Sequence, residues 1–399
     1  MKGPRKILIA LGDRSLGEAA RVLPICHAIK THWPDSQLSV GYARDTQRAL
    51  LEMCPQISQM VESRDLKVTG LKHFWRTIKY FVPVARAMSG FDAILLLHRK
   101  DSRWPMFLLA RLSRARVYDK LRFTVPNIPP PELFGERITQ MMVGAEFAKG
   151  ILQYLPALHV PEKYKRFAEW FFSGNRLAGS TTVFMNPYRT SHQRAWGGVE
   201  ASHTLARYFS VAKTLSDCGV KVLMHERGGP DETLDKDNLQ YYQEEYESRR
   251  REVEKAGVIL TGKISVGQLI AMISKCDMLW GEPSGPSWVA AALGKPTVII
   301  APSITCSLAS WLPVIKGEAG FRNAKHTVIV HEEGKPVTEG AVARILLERL
   351  QAQPGGYTRD TSDLELSKQT TAVLDSGEAA GWDALRNVRN TRKAMVSDA

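Results

Sequence analysis

Long apolar runs are missing from this 399-residue chain. None approaches the roughly 18 to 20 residues that span a bilayer, so no transmembrane helix is expected. Cysteine is sparse and unpatterned. Cys26, Cys54, Cys218, Cys276 and Cys306 are odd in number, widely scattered, and show neither CxxC nor Cys/His ligand spacing. That argues against a disulfide framework or structural zinc and suits a reduced cytoplasmic setting. Walker A, HExxH, GxSxG and zinc-knuckle patterns are also lacking, which leaves phosphotransferase, metalloprotease, serine hydrolase and zinc-binding readings without support. Acidic residues are in deficit, 41 against 54 Lys and Arg, giving a formal charge of +13. The imbalance implies an acidic partner, whether nucleic acid, an anionic membrane or a phosphorylated substrate. No recognisable nucleic-acid module favours the first of these.

What the chain does have is alternation of short apolar strands with helical stretches. A 44% apolar content over this length allows two or three domains with real cores. The opening MKGPRKILIAL has basic residues before an apolar run, but the run is too short for a secretory signal and meets Gly12, Asp13 and Arg14 at once. Lys6 to Leu11 therefore reads as a first strand. A small polar loop with Ser15 and Gly17 follows, then a helix from about Glu18 to Lys30 and a strand from Leu38 to Tyr42. This β-loop-α-β order opens a mononucleotide-type crevice near Gly12 to Glu18. It lacks GxGxxG and a clear acidic ribose hook, so a nicotinamide site is weakly supported.

Further on, Lys72, Arg76, Lys79 and Arg86 recur at helical spacing beside Trp75, Ile78, Phe81 and Val82. Such a stripe is either a domain helix with a solvated basic side or a surface for an acidic membrane. Ala93 to Leu97 is a buried strand that delivers HRKDSR, so His98, Arg99, Lys100 and Arg103 are candidate contacts for a phosphorylated acceptor, or exposed loop charges. VPNIPPPELF reads as a stiff connector or lid. The domain joint is expected at about 160 to 178, giving domains 1–170 and 171–353 and a tail 354–399 with a possible helix from Trp382 to Lys393.

The second domain repeats the pattern. Strands are expected at TTVFMNP, VKVLMH, Val258 to Leu260 and Met278 to Trp280, with helices at Ser202 to Cys218, Asp237 to Lys255, Ser265 to Ser274 and 338 to 352. Its centre is Asp277 to Pro302, DMLWGEPSGPSWVAAALGKPTVIIAP, a strand, a tight loop, a small-residue helix and a β-branched strand. Ser284 or Gly285 can cap that helix, Pro286 suits its first turn, and Gly294 with Pro296 ends it. Free N–H groups near residues 285 to 288 and the helix dipole would suit a diphosphate, although an ordinary βα turn has the same pattern. His225, ending a strand, is a weaker candidate.

These segments together resemble the heptosyltransferase family of GT-B glycosyltransferases, glycosyltransferase family 9, most closely over residues 5–42 and 181–313. The resemblance implies two Rossmann-like doubly wound domains facing across a cleft. It also implies transfer of ADP-heptose to the inner core of lipopolysaccharide. The family's catalytic Asp, six residues ahead of a Leu-Pro proline, is matched by Glu18 in SLGEAARVLP. Its diphosphate-neutralising Lys is matched by Arg194 in QRAWGG, and its nucleoside-holding Glu by Glu232 in RGGPDE. Its Asp-Ser/Thr-Gly-x-x-His-Leu run corresponds to Pro283, Ser284, Gly285, Pro286, Ser287, Trp288 and Val289, so the Asp and His are replaced by Pro and Trp.

The implied chemistry is inverting glycosyl transfer. Glu18 would be the base, and Arg194, Glu232 and Ser284 to Trp288 would bind the donor. Arg14, Ser15, His98, Arg99, Lys100 and Arg103 would bind the acceptor. Trp288 could stack on a ring or simply pack. Charge on the leaving diphosphate is met by protein groups, so neither metal nor cofactor is required. The DKD at 235–237 imitates a metal motif but sits in a charged helix start. Expected partners are a nucleotide sugar, a phosphorylated lipid-linked saccharide and an acidic membrane surface, with the protein peripheral at the inner face of the cytoplasmic membrane. A nucleotide-sugar epimerase or hydrolase, or a non-catalytic GT-B binding protein, are the alternatives.

Overall fold

Aliphatic and β-branched runs of four to six residues become buried parallel strands in two separate sheets. In this computed structural model the described residues are 4–11, 16–42, 44–62, 90–97, 115–119, 158–187, 201–226, 247, 250–282, 284–302, 326–331, 338–352 and 372–375. They fall into two units divided between His159 and Val160.

The first unit contains β1 (Lys6–Leu11), α1 (Leu16–His32), β2 (Gln37–Tyr42), α2 (Asp45–Leu51), β3 (Gln59–Glu62), β4 (Ala93–Leu97) and β5 (Arg116–Asp119). Its strands lie in the order β3-β2-β1-β4-β5, all parallel. The chain builds outward from β1 to β3 and then crosses to β4 on the other side of β1. The strand order therefore reverses between β1 and β4, where ligands of open α/β sheets bind, at the carboxyl ends. Leu11 and Leu97 are register partners at those ends. The helix covering this sheet is thin and apolar, with Ala19, Ala20, Val22, Leu23, Ile25 and Ile29 all buried.

The second unit contains α3 (Glu162–Gly174), β6 (Thr182–Asn186), α4 (Ala201–Asp217), β7 (Lys221–Met224), β8 (Val258–Leu260), α5 (Val266–Lys275), β9 (Met278–Gly281), α6 (Gly285–Ala292), β10 (Thr297–Pro302), β11 (His326–His331), α7 (Glu339–Gln351) and β12 (Ala372–Asp375). Strand order is β12-β11-β10-β9-β6-β7-β8, parallel except for the β11/β12 pair. Here the order reverses between β6 and β9. The core on one face joins Val183, Met185, Tyr208, Leu215, Val222, Met224, Trp280 and Leu346. Fully buried Trp280 stacks on Tyr208 of α4 with ring centroids 4.8 Å apart.

Both switch points are tied at their amino ends in the same way. Asp92, just ahead of β4, accepts from the backbone N–H groups of Arg5 and Lys6 at 2.8 Å each. Asp277, just ahead of β9, accepts from Thr182 N–H at 2.7 Å and from its hydroxyl at 3.1 Å. Each carboxylate thus ends two orphan donors at the start of a central strand and fixes its register against the strand across the switch.

The strands expected from sequence in both halves are present to within a residue or so at each end. Ser265 precedes its helix rather than beginning it. Its side chain accepts from Gln268 N–H while Gln268 returns the bond, a complete capping box. Unforeseen were α2, α3, β3, β5, β11 and β12, the last an antiparallel edge strand in what reads as polar tail. Of the expected Asp237 to Lys255 helix, residues 250–255 are helical, and most of the rest lies outside the described residues. Also outside them are the basic stripe at 72–86, the VPNIPPPELF connector, the DKD and the Trp382 to Lys393 helix. Among the described residues no helix is long and apolar enough to cross a membrane.

Candidate active site

The carboxyl ends of β6 and β9 carry the buried polar groups of the second switch point. Asn186 closes β6 in register with Gly281 of β9. A Cβ on Gly281 would drive into the Asn186 carbonyl oxygen, so the two strands can approach this closely only with glycine here. That carbonyl accepts from Glu282 N–H at 3.1 Å. From the side chain of Asn186, Nδ2 donates to Ser284 Oγ at 2.6 Å. Ser287 Oγ donates back to the Glu282 carbonyl at 2.7 Å. The turn from β9 into α6 is thereby closed by three hydrogen bonds among residues that are all buried. In such surroundings satisfied polar groups fix geometry well.

This arrangement corrects two local expectations. Ser284 does occupy the N-cap position of α6, with extended backbone angles, but its hydroxyl makes no capping bond because it is engaged by Asn186. The free N–H set is also smaller than residues 285 to 288. Pro286 has none, and the Trp288 N–H is taken by the Ser284 carbonyl at 3.2 Å. An anion at this turn would meet Gly285, which is half-buried, and beyond it fully buried Ser287. Pro286 is buried too, and Trp288 is only 5% exposed, packed as a core side chain.

Glu282, one residue before the position where the family pattern has Asp, is buried and its Oε1 accepts from Tyr208 hydroxyl at 3.3 Å. Tyr208 is in turn stacked on Trp280, so the carboxylate is anchored toward α4. Asn186, Tyr208 and Glu282 were not singled out as site residues from sequence. The available signal was the strand-ending Asn-Pro of TTVFMNP, matched across the switch by the strand-ending Gly-Glu of DMLWGE. His225, at the end of β7, is 2% exposed and stacked on Phe184, which places it in the core beside the switch point.

In the first unit Glu18 stands in the first turn of α1, which follows β1. Its side chain lies outside the described atoms, as do residues Arg14, Ser15, His98, Arg99, Lys100 and Arg103 altogether. His98 directly follows Leu97, the last residue of β4, in sequence. Glu18 thus belongs to the first turn of the helix that follows β1, and Leu11 and Leu97, the last residues of β1 and β4, are register partners. Arg194, Glu232 and Pro283 are likewise outside the described residues. Among those described, no group of three His, Cys, Asp or Glu could hold a metal ion.

Residues 204–301 match the family model of glycosyltransferase family 9 (heptosyltransferase), about a quarter of the chain. That span contains Tyr208, His225, Glu282 and the turn at 284–288. No curated protein sequence matches. Solved structures do: a family 9 glycosyl transferase from Veillonella parvula superimposes with TM-score 0.60 at 16% identity, covering 88% of this chain and 97% of that one. The ADP-heptose lipopolysaccharide heptosyltransferase II of E. coli gives TM-score 0.56 at 16% identity, covering 86% and 97%. An E. coli heptosyltransferase solved with ADP gives 0.50 at 15% identity, covering 87% and 98%. At these identities the structural likeness establishes the GT-B fold, and the likeness to the family model is confined to residues 204–301. The chain thus has the GT-B fold and carries, over residues 204–301, a segment similar to the heptosyltransferases of glycosyltransferase family 9.

Proposed function

We propose that the protein moves a sugar, heptose or a relative, from a nucleotide donor to a hydroxyl of a lipid-linked saccharide such as a lipopolysaccharide core, with inversion and without a metal. The observation that carries the reading is the turn at Glu282–Ser287, inside the family-matched segment and closed from β6 by Asn186 at the switch point of the second sheet. Backbone N–H at Gly285 and the positive end of α6 suit the donor diphosphate. Arg194 would neutralise the same group and Glu232 would hold the nucleoside, with Pro286, Ser287 and Trp288 backing the turn. One E. coli heptosyltransferase of this fold was solved with ADP, which supports an ADP-linked sugar as the first donor to try.

Glu18 is the proposed general base. The acceptor oxygen attacks the anomeric carbon, its proton passes to the Glu18 carboxylate, and the bond to the diphosphate breaks with the electron pair leaving on phosphate oxygen. Positioned proton transfer of this kind contributes roughly 10² to 10⁴ in rate. Arg14, Ser15, His98, Arg99, Lys100 and Arg103 would hold a phosphorylated acceptor, at the inner face of a bacterial cytoplasmic membrane. No cofactor enters this scheme, because Arg194 and the helix end supply the positive charge that the departing diphosphate needs.

The test is incubation with labelled ADP-, UDP- and GDP-sugars, with and without a core-lipid acceptor. Transfer that needs the acceptor and falls by roughly 10² to 10⁴ in Glu18→Gln is expected. Donor turnover without acceptor would indicate an epimerase or hydrolase. Nucleotide binding with no turnover at all would indicate a binding protein, a result to which Pro283 and Trp288 in place of the family Asp and His would then point.

A further inference from the structure

Among the described residues one large apolar side chain is strongly exposed, Trp170 of α3, at 70%. Its helix is amphipathic for a clear reason. Ala168, Phe171 and Phe172 face the core of the second unit, and Tyr164 lies so close to Gly267 of α5 that a Cβ there would enter its ring. A glycine in α5 thus lets α3 seat deeply on one side, which fixes the other side toward solvent. Residues 163, 166, 167 and 170 recur at helical spacing on that outer side, as Lys, Arg, Phe and Trp. Phe167 is half-buried with its ring centroid 6.0 Å from that of Trp170. Lys163 extends over the Tyr164 ring, its Nζ 4.6 Å from the centroid.

The acids of the helix flank this face and each has a basic partner. Glu162 is 3.6 Å from Arg166, and Glu169 is 3.3 Å from Lys275 of α5. Lys163, Lys165, Arg166 and exposed Arg176, just beyond the helix, leave the segment basic, as the whole chain is at +13.

We infer that the outer face of α3, Lys163, Arg166, Phe167 and Trp170, docks on an anionic lipid bilayer. Indole and phenyl rings with apolar bodies enter the headgroup layer, while the long basic stems beside them keep their charges at the lipid phosphates. The patch is one exposed indole and one half-covered ring, far below the roughly 800 Å² per partner that a stable protein interface buries. A bilayer needs no such area, because charge and a shallow aromatic anchor act together. This surface gives the proposed membrane location a physical seat, yet bilayer binding requires neither donor nor acceptor and stands apart from the reaction.

The experiment is cosedimentation of the full-length protein with vesicles of phosphatidylcholine alone or mixed with phosphatidylglycerol. Binding to the mixed vesicles that weakens with added salt is expected. It should fall about tenfold or more in Trp170→Ala and in the Lys163→Gln/Arg166→Gln double variant. Brominated lipid should quench a part of the tryptophan emission that Trp170→Phe removes, and melting temperatures should stay at the wild-type value, since the altered groups are exposed. The inference is overturned if the wild type ignores anionic vesicles or if Trp170→Ala binds them as well as the wild type. It is overturned equally if the face instead holds a wild-type dimer that Trp170→Ala dissociates in analytical ultracentrifugation. Transfer to detergent-dispersed acceptor should be unchanged in Trp170→Ala, so loss of docking and loss of the reaction are read separately.

Discussion

Two glycines carry more of this structure than their size suggests, and they differ in what surrounds them. At Gly281 the obstacle to a Cβ is the backbone oxygen of Asn186, which is fixed by the β6/β9 ladder and cannot move without breaking the switch point. At Gly267 the obstacle is the far end of the Tyr164 ring, which can swing at the cost of some α3 packing. Gly281→Ala should therefore destabilise the second unit by about 3 kcal/mol or prevent its folding, and Gly267→Ala by about 1 to 2 kcal/mol. Urea denaturation followed by tryptophan emission measures both. An equal loss in the two variants would show that the β6/β9 approach is looser than described. Neither constraint is legible in the sequence, where Gly281 reads as loop punctuation and Gly267 as a helix weakness. Both depend on which neighbour the fold brings up.

Elements are held in register by groups at their ends. Asp277 accepts two bonds from Thr182 across 95 residues of sequence. Replacing it by Ala strands a part-buried backbone donor, so Asp277→Ala should cost about 1.5 to 3 kcal/mol, with Asp277→Asn recovering part of it through its remaining oxygen. Denaturation midpoints of the three proteins check the ranking. In the first unit, α1 is linked to the segment after α2 through His27 Nδ1, 3.1 Å from Gln56 Nε2, while Gln56 Oε1 accepts from the Cys54 thiol at 3.2 Å. Burial holds the His27 pKa below its ordinary value of about 6.5. The folded chain therefore binds fewer protons than the unfolded chain in that range. Its stability is complete above about pH 6.5 and is lost as pH falls through the depressed pKa. Hydrogen exchange of α1 amides between pH 7.5 and 5.5 should show rising opening in the wild type and a flatter profile in His27→Gln. The elements legible in sequence were those with a strong period and clear punctuation, such as β1, β4, β9 and α6. Three of the missed strands are weakly patterned edges: β3, β5 and β12 are four residues each and draw their stability from pairing rather than composition. The candidate site was legible as a turn, through Gly, Pro and Ser at 284–287. Its closure by Asn186 and Tyr208 joins residues about 100 and 75 positions apart, which no local pattern encodes.

At the scale of the whole chain, the two units have the same plan with different equipment. Each has a parallel sheet whose order reverses beside its central strand, and each reversal is tied from below by an Asp. The proposed reaction assigns the proton to the first reversal, through Glu18, and the donor to the second, through the turn that Asn186 closes. Kinetics can separate those assignments. Asn186→Ala removes the 2.6 Å bond to Ser284, so the turn at Gly285 loses its support while the base is untouched. A loss of about 1 to 2 kcal/mol should weaken nucleotide binding roughly 5- to 30-fold by calorimetry, with KM for donor rising and kcat changing little at saturation. Glu18→Gln should do the reverse, leaving the calorimetric affinity as it was and lowering kcat by roughly 10² to 10⁴. In the double variant the two losses should add within about 0.5 kcal/mol if the units act independently on donor and proton. A Glu18→Gln protein that no longer binds nucleotide would instead place that carboxylate in the donor site. Such a result would remove it as the base and leave the proton without an assigned acceptor.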